Sequence, residues 1–226
     1  MLKEGMFCLI KFGKKQYMEN LLKKGEVCFN PIDEFRKSIE KERGDSNEGA
    51  ISLQNVKLKE IKAEHPGLGT YVFKPAPNSV FRLMNFNDAG YLSFSSYAIT
   101  LKAFQKNNEH KISEKMLEFG EYAIVIKEPL KFINCILDNL KDKKLPFKEG
   151  MIEYLNLSIE EKYDLSFFNK SEDFKHQEEY RIIFQSLNSE RCVIYIGSIK
   201  EYAVIVKTED LVKNKWNIVN KKRAPQ

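Results

Sequence analysis

The chain has 226 residues, 42% of them hydrophobic and 31% charged, the balance of a globular protein with one sizeable core, which excludes wholesale disorder. Lys and Arg outnumber Asp and Glu by 37 to 32, a formal charge of +5, which suits an anionic ligand or RNA but falls short of a dedicated nucleic-acid binder. No apolar run reaches the length of a membrane span and no signal peptide is visible, so the expectation is a cytoplasmic protein with no membrane partner.

In chain order, MFCLIKF (6–12) reads as a short strand, and KKQYMENLLKKG follows as a helix stopped by Gly25. EVCFN (26–30) returns to strand chemistry and Pro31 ends it. IDEFRKSIEKERGDSNEGA reads as a short helix running into a polar loop that ends at Gly49. AISLQNVKLKEIKA alternates apolar and polar residues, as an exposed strand or hairpin does. EHPGLGTYVFKPAPNS is a Pro- and Gly-rich loop around one short strand. VFRLMNF, GYLSFSSYAIT and EYAIVIK are the next strands, with a predicted helix over KAFQKNNEHKISEKMLEFG between the last two. Residues 136–171 read as a helical or irregular insertion. EYRIIFQS, RCVIYIGS and EYAVIVKT complete the strands, and TEDLVKN closes as a helix with Thr208 as N-cap. Strands outnumber helices without regular βαβ alternation, so the expectation is one α+β domain over 1–226 with a mostly antiparallel or mixed sheet.

Several chemistries are disfavoured at once. Cys8, Cys28, Cys135 and Cys192 are far apart and form no CxxC pair, which reads as buried free thiols. They and the three histidines supply no clustered zinc ligands, so no metal is expected. No GxGxxG or GxxxxGK[ST] occurs, against a Rossmann site or a P-loop.

The stretch FKHQEEYRIIF (174–184) carries the strongest candidate. On a strand, Gln177, Glu179 and Arg181 share one face, and Glu178, Tyr180, Ile182 and Phe184 the other. A carboxylate held there can bind a ribose hydroxyl or stabilise an oxocarbenium-like transition state; alternatively, Glu179 and Arg181 form a surface ion pair of little consequence. IEKERGDSNEG gathers Glu40, Arg43, Asp45 and Glu48 into a loop able to clamp a phosphate through Arg43, to hold a metal, or to be a solvated turn. Ser93 and Ser95 share one face of YLSFSSYAIT, and Lys11 interrupts an apolar strand.

Taken together, these residues resemble the ADP-ribosyltransferase fold. FCLIKFGKKQYMENLLKKGEVCFNP is similar to its opening strand, helix and second strand, as in the DNA- and RNA-modifying DarT-like toxins. QEE (177–179) fits the Q/E-x-E signature, and LSFSS resembles the Ser-Thr-Ser strand with Phe94 in place of the central Thr. The chain also resembles an uncharacterised bacterial family with a late ExEYR motif, to which toxins of anti-phage defence are related. The resemblance implies a split sheet that binds NAD as substrate, with Glu179 catalytic and Gln177 orienting the acceptor. It implies cofactor contacts from Lys11, Phe12, Arg43, Ser93, Ser95 and Tyr97, although Lys11 stands where relatives carry Arg or His. Phe167, Phe168 and Phe174 in the preceding segment would stack on a base, with Phe168, Phe174 and Arg181 as the substrate-binding set. The implied activity is an NAD-dependent ADP-ribosyltransferase acting on RNA, single-stranded DNA or protein, with an antitoxin as a candidate partner. The alternatives are a non-catalytic nucleotide- or partner-binding member of the fold, and a metal-dependent nuclease using Asp45, Glu48 and Glu179.

Overall fold

The computed structural model describes residues 5–38, 42, 44–57, 59–76, 80–86, 90–104, 109–158, 162–186 and 190–217. Its centre is an eight-stranded antiparallel sheet. From one edge the order is Phe147–Met151, Glu179–Gln185, Tyr91–Thr100, Met6–Gly13, Tyr122–Ile126 and Ala203–Lys207. The strand Tyr91–Thr100 also carries Glu26–Pro31, which in turn pairs with Cys192–Tyr195. The α+β expectation with a mostly antiparallel sheet therefore holds.

Alternation along each strand sorts the core into two layers. On Met6–Gly13, Leu9 joins Phe29, Phe94, Tyr180, Ile182 and Phe184 on one face, under the helix Pro129–Asp142. Cys8, Ile10 and Phe12 join Tyr97, Ile99 and Val125 on the other, under the short C-terminal helix Thr208–Lys213. Burial of this kind stabilises by about 25 cal/mol per Å² of apolar surface removed from water. A smaller sheet, Ala50–Lys57 with Val80–Phe86 and Lys162–Asp164, encloses its own cluster of Leu53, Leu157 and Tyr163. The hairpin Ile61–His65 with Gly69–Phe73 stands out from the body with both strands exposed along their whole length.

Three local readings change. The predicted helix over 102–120 is instead two 3₁₀ turns, Leu101–Phe104 and Glu114–Phe119, around the short strand Glu109–Lys111. Tertiary burial of Ile112 and Met116 against the sheet outweighs the helical spacing. In the 136–171 insertion helix persists only to Asp142; beyond it lie the short strands Phe147–Met151, Glu153–Leu155, Lys162–Asp164 and Asn169–Ser171. Thr208 is the first helical residue rather than the cap, and its hydroxyl donates to the Gly120 carbonyl at 2.6 Å.

Gly25 ends the helix Lys15–Lys24 in the left-handed conformation (φ 63°), its N–H donating to the Leu21 carbonyl at 2.9 Å. A Cβ there would run into the backbone of Gly197. Gly25→Ala should therefore lower unfolding stability by about 2–4 kcal/mol, combining left-handed strain with overpacking, measured by chemical denaturation.

Candidate functional site

The site forms where the sheet forks. Along one edge, Tyr91–Thr100 pairs without interruption from Tyr91 to Tyr97 with Gln185 to Glu179. Along the other, Tyr97 to Thr100 pair with Met6–Gly13, whereas Leu92 and Ser93 pair with Pro31 and Asn30. Two strands thus diverge from one. A backbone group left without a ladder partner must be satisfied elsewhere. At the fork, the Lys11 ammonium donates to the Ser95 carbonyl at 2.5 Å and lies 4.8 Å from the centre of the Phe94 ring.

A cleft of about 210 Å³ opens at this fork, with Lys11, Phe12, Ser93, Ser95 and Tyr97 in its lining. Gln177, Glu179 and Arg181 line it too. Only Glu179 and Arg181 reach it by strand alternation, because the strand begins at Glu179 and Gln177 ends the 3₁₀ turn Glu172–Gln177. Between them, Glu178 takes the left-handed conformation (φ 37°, ψ 51°), which turns both neighbours toward one lysine. That conformation costs a non-glycine residue about 1–2 kcal/mol.

Glu179 is 5% exposed and is held from three directions. Its Oε1 accepts from the Ser95 hydroxyl at 2.5 Å and from the Arg181 Nε at 2.8 Å, and its Oε2 accepts from the Lys170 ammonium at 3.0 Å. Burial alone would raise the carboxyl, but Arg181 and Lys170 outweigh it and hold Glu179 well below the usual carboxylate range. Arg181 forks onto Glu48 at 2.5 and 3.1 Å and donates to the Phe167 carbonyl at 2.6 Å. Its guanidinium is a strut inside the wall, 2% exposed, at the lining of the cleft. Lys170 also donates to the Gln177 Oε1 at 2.9 Å, while the Gln177 amide donates to the Glu42 carbonyl at 2.8 Å. Both ends of that carboxamide are therefore fixed.

Sequence reasoning missed Lys170 and Glu42. The signal for a lysine was charge balance: Glu48 and Glu179 leave one buried negative charge over against Arg181, and buried charges are paired. Phe168 and Phe174 are not brought into the cleft. Phe168 packs against Gly150, and Phe174 lies 5.2 Å from the Lys170 ammonium and borders a different cavity. Arg43 lies outside the described residues. Among the described residues no group of His, Cys, Asp and Glu could hold a metal, and the Arg181 guanidinium bridges Glu48 and Glu179 where a shared ion would sit. The Ser96 hydroxyl, 4% exposed, borders the cleft without a hydrogen-bond partner among the described residues.

Beside the cleft, the Tyr97 hydroxyl lies 2.7 Å from the His110 Nε2, itself 3.8 Å from the Glu178 carboxylate. Burial pushes Glu178 up to about 7 against the opposing pull of Tyr97 and Lys175.

Comparison with protein families, curated proteins and solved structures finds no match. No helix among the described residues is long and apolar enough to cross a membrane.

Two outcomes follow from the charges. Arg181→Met would leave Glu48 and Glu179 buried against Lys170 alone, and should cost about 3–5 kcal/mol of unfolding free energy. Folded Glu178 keeps its proton up to about 7, whereas an unfolded Glu releases it near about 4.3. The native state therefore binds more protons across that window, and this group's contribution makes stability fall as pH rises through it. Glu178→Gln should remove that component, so that denaturation midpoints compared at about pH 5 and about pH 7.5 show a smaller loss in the variant.

Proposed function

We propose that the chain is an NAD-dependent ADP-ribosyltransferase, a toxin or defence effector whose acceptor is RNA, single-stranded DNA or protein. One observation carries the reading: Ser95 donates to Glu179 at 2.5 Å on the floor of the forked-sheet cleft, with Gln177 fixed beside them. A carboxylate offers about four lone-pair positions, and three on Glu179 are taken. The fourth, on Oε2, would accept a hydroxyl of the nicotinamide-side ribose. As the bond from ribose to nicotinamide breaks, positive charge develops on the ribose, and a carboxylate kept ionised by its neighbours stabilises it electrostatically. Glu48 offsets one of the two cations beside Glu179, so the cleft is not left cationic overall. A volume of about 210 Å³ suits the nicotinamide–ribose half, and the adenosine half would lie along the open mouth. Gln177 retains one amide N–H with which to orient the acceptor.

The burial of Glu179, with three of its acceptor positions filled, favours one second reading: a non-catalytic nucleotide-binding member of the same architecture. Incubating purified protein with labelled NAD and separate pools of RNA, single-stranded DNA and cell protein tells them apart. The transferase should label one pool, and Glu179→Gln should reduce labelling by about a hundredfold or more. Absence of label from every pool, together with an equally toxic Glu179→Gln variant, would leave the binding reading in its place.

A further inference from the structure

A second cavity, of about 560 Å³, shares two walls with the cleft. In the loop after the helix Ile32–Lys37, Glu42 and Glu48 face the cleft, while Gly44 to Asn47 border the second cavity. In the segment before the catalytic strand, Lys170 and Gln177 face the cleft, while Ser171 to Phe174 border the second cavity. The volume falls within the range of about 300–1,000 Å³ usual for small-molecule sites.

The chemistry of this cavity is mixed in a particular way. Arg82 and Phe86 fall on one face of the strand Val80–Phe86, and the Arg36 guanidinium lies over the Phe86 ring at 4.1 Å. Arg36, from the helix Ile32–Lys37, and Arg82 both border the space. Asn156 and Ser158 add hydrogen-bonding groups, and Phe174 an aromatic one. Asp45 is 2% exposed and its Oδ2 has no hydrogen-bond partner among the described residues, although Oδ1 accepts from the Asn47 N–H at 2.9 Å. Leaving such an oxygen unpaired is unfavourable, and a ligand donor would relieve it. Glu172 and Asp173 also border the space, which argues against a bare polyanion. The occupant must bring an anionic group, several N–H or O–H donors and a flat apolar face together.

We infer that the second cavity is a nucleotide site. The phosphate lies at Arg82, the base against Phe174, and a base donor reaches Asp45 at the Gly44–Asn47 turn. Aromatic stacking and cationic phosphate contacts are how single nucleotide units are held in general. The nucleotide is either free or part of a single strand. Its use as the seat of an acceptor rests on the transferase reading, but its occupation does not.

Calorimetric titration of the full chain with the four ribonucleoside 5′-monophosphates, alone and with saturating NAD, tests this. At least one should bind saturably and stay bound in the presence of NAD. Asp45→Ala and the exposed Arg82→Ala should each weaken binding by about tenfold, with melting curves confirming that both variants fold. Competition by a single-stranded RNA pentamer would assign the site to nucleic acid, and its failure to compete would assign it to free nucleotide. The inference is overturned if none of the four binds saturably, or if NAD displaces them and Arg82→Ala binds like the unaltered protein. Neither result depends on whether ADP-ribose is transferred, so a failure here is distinct from a failure of the transferase reading.

Discussion

The Arg181 guanidinium is the constraint on which the site depends. It spans Glu48 and Glu179, joining the loop 44–49 to the central sheet by a forked ion pair and fixing the carboxylate beneath the cleft. Taking these charges out of water is costly, and only complete pairing repays it. Lys170 completes the pairing, and by also holding Gln177 it couples the 3₁₀ turn to the same network. No member can be removed without leaving another buried and unbalanced. The wall that lines the cleft and the wall that stabilises the fold are one structure.

The fork in the sheet has a related origin. Tyr91–Thr100 is paired on one edge by two different strands, Met6–Gly13 and Glu26–Pro31. The gap between those two partners is where the cleft opens. Lys11 satisfies the Ser95 carbonyl that the gap would otherwise strand, so a lysine in an apolar strand is a structural requirement here before it is anything else.

Much of this was legible in the sequence because alternation and glycine placement are local signals. The strands at Met6–Gly13, Tyr91–Thr100 and Glu179–Gln185, and the helix stop at Gly25, were read from neighbours along the chain. The pairing of Ser95 with Glu179 was anticipated only through a resemblance to a fold. What could not be read depends on contacts between distant residues. Lys170 sits in a segment with no periodicity of its own, and Glu42 contributes its backbone carbonyl to Gln177, for which no side-chain motif exists. The strand-face argument for Gln177 missed the left-handed Glu178, because glutamate gives no warning that it will adopt a glycine-like conformation.

The separations spanned by the site bear on how the chain acquires it. Lys11 meets Ser95 across 84 positions, Ser95 meets Glu179 across another 84, and Glu48 meets Arg181 across 133. Contacts of such range form slowly, since loop closure must be paid for before they reward it. During synthesis from the N-terminus, the cleft's first wall emerges early and stays incomplete until the strand Glu179–Gln185 has left the ribosome. A nascent chain therefore lacks a closed cleft for most of its elongation, and the Glu179 network can assemble only once nearly four-fifths of the chain has been made.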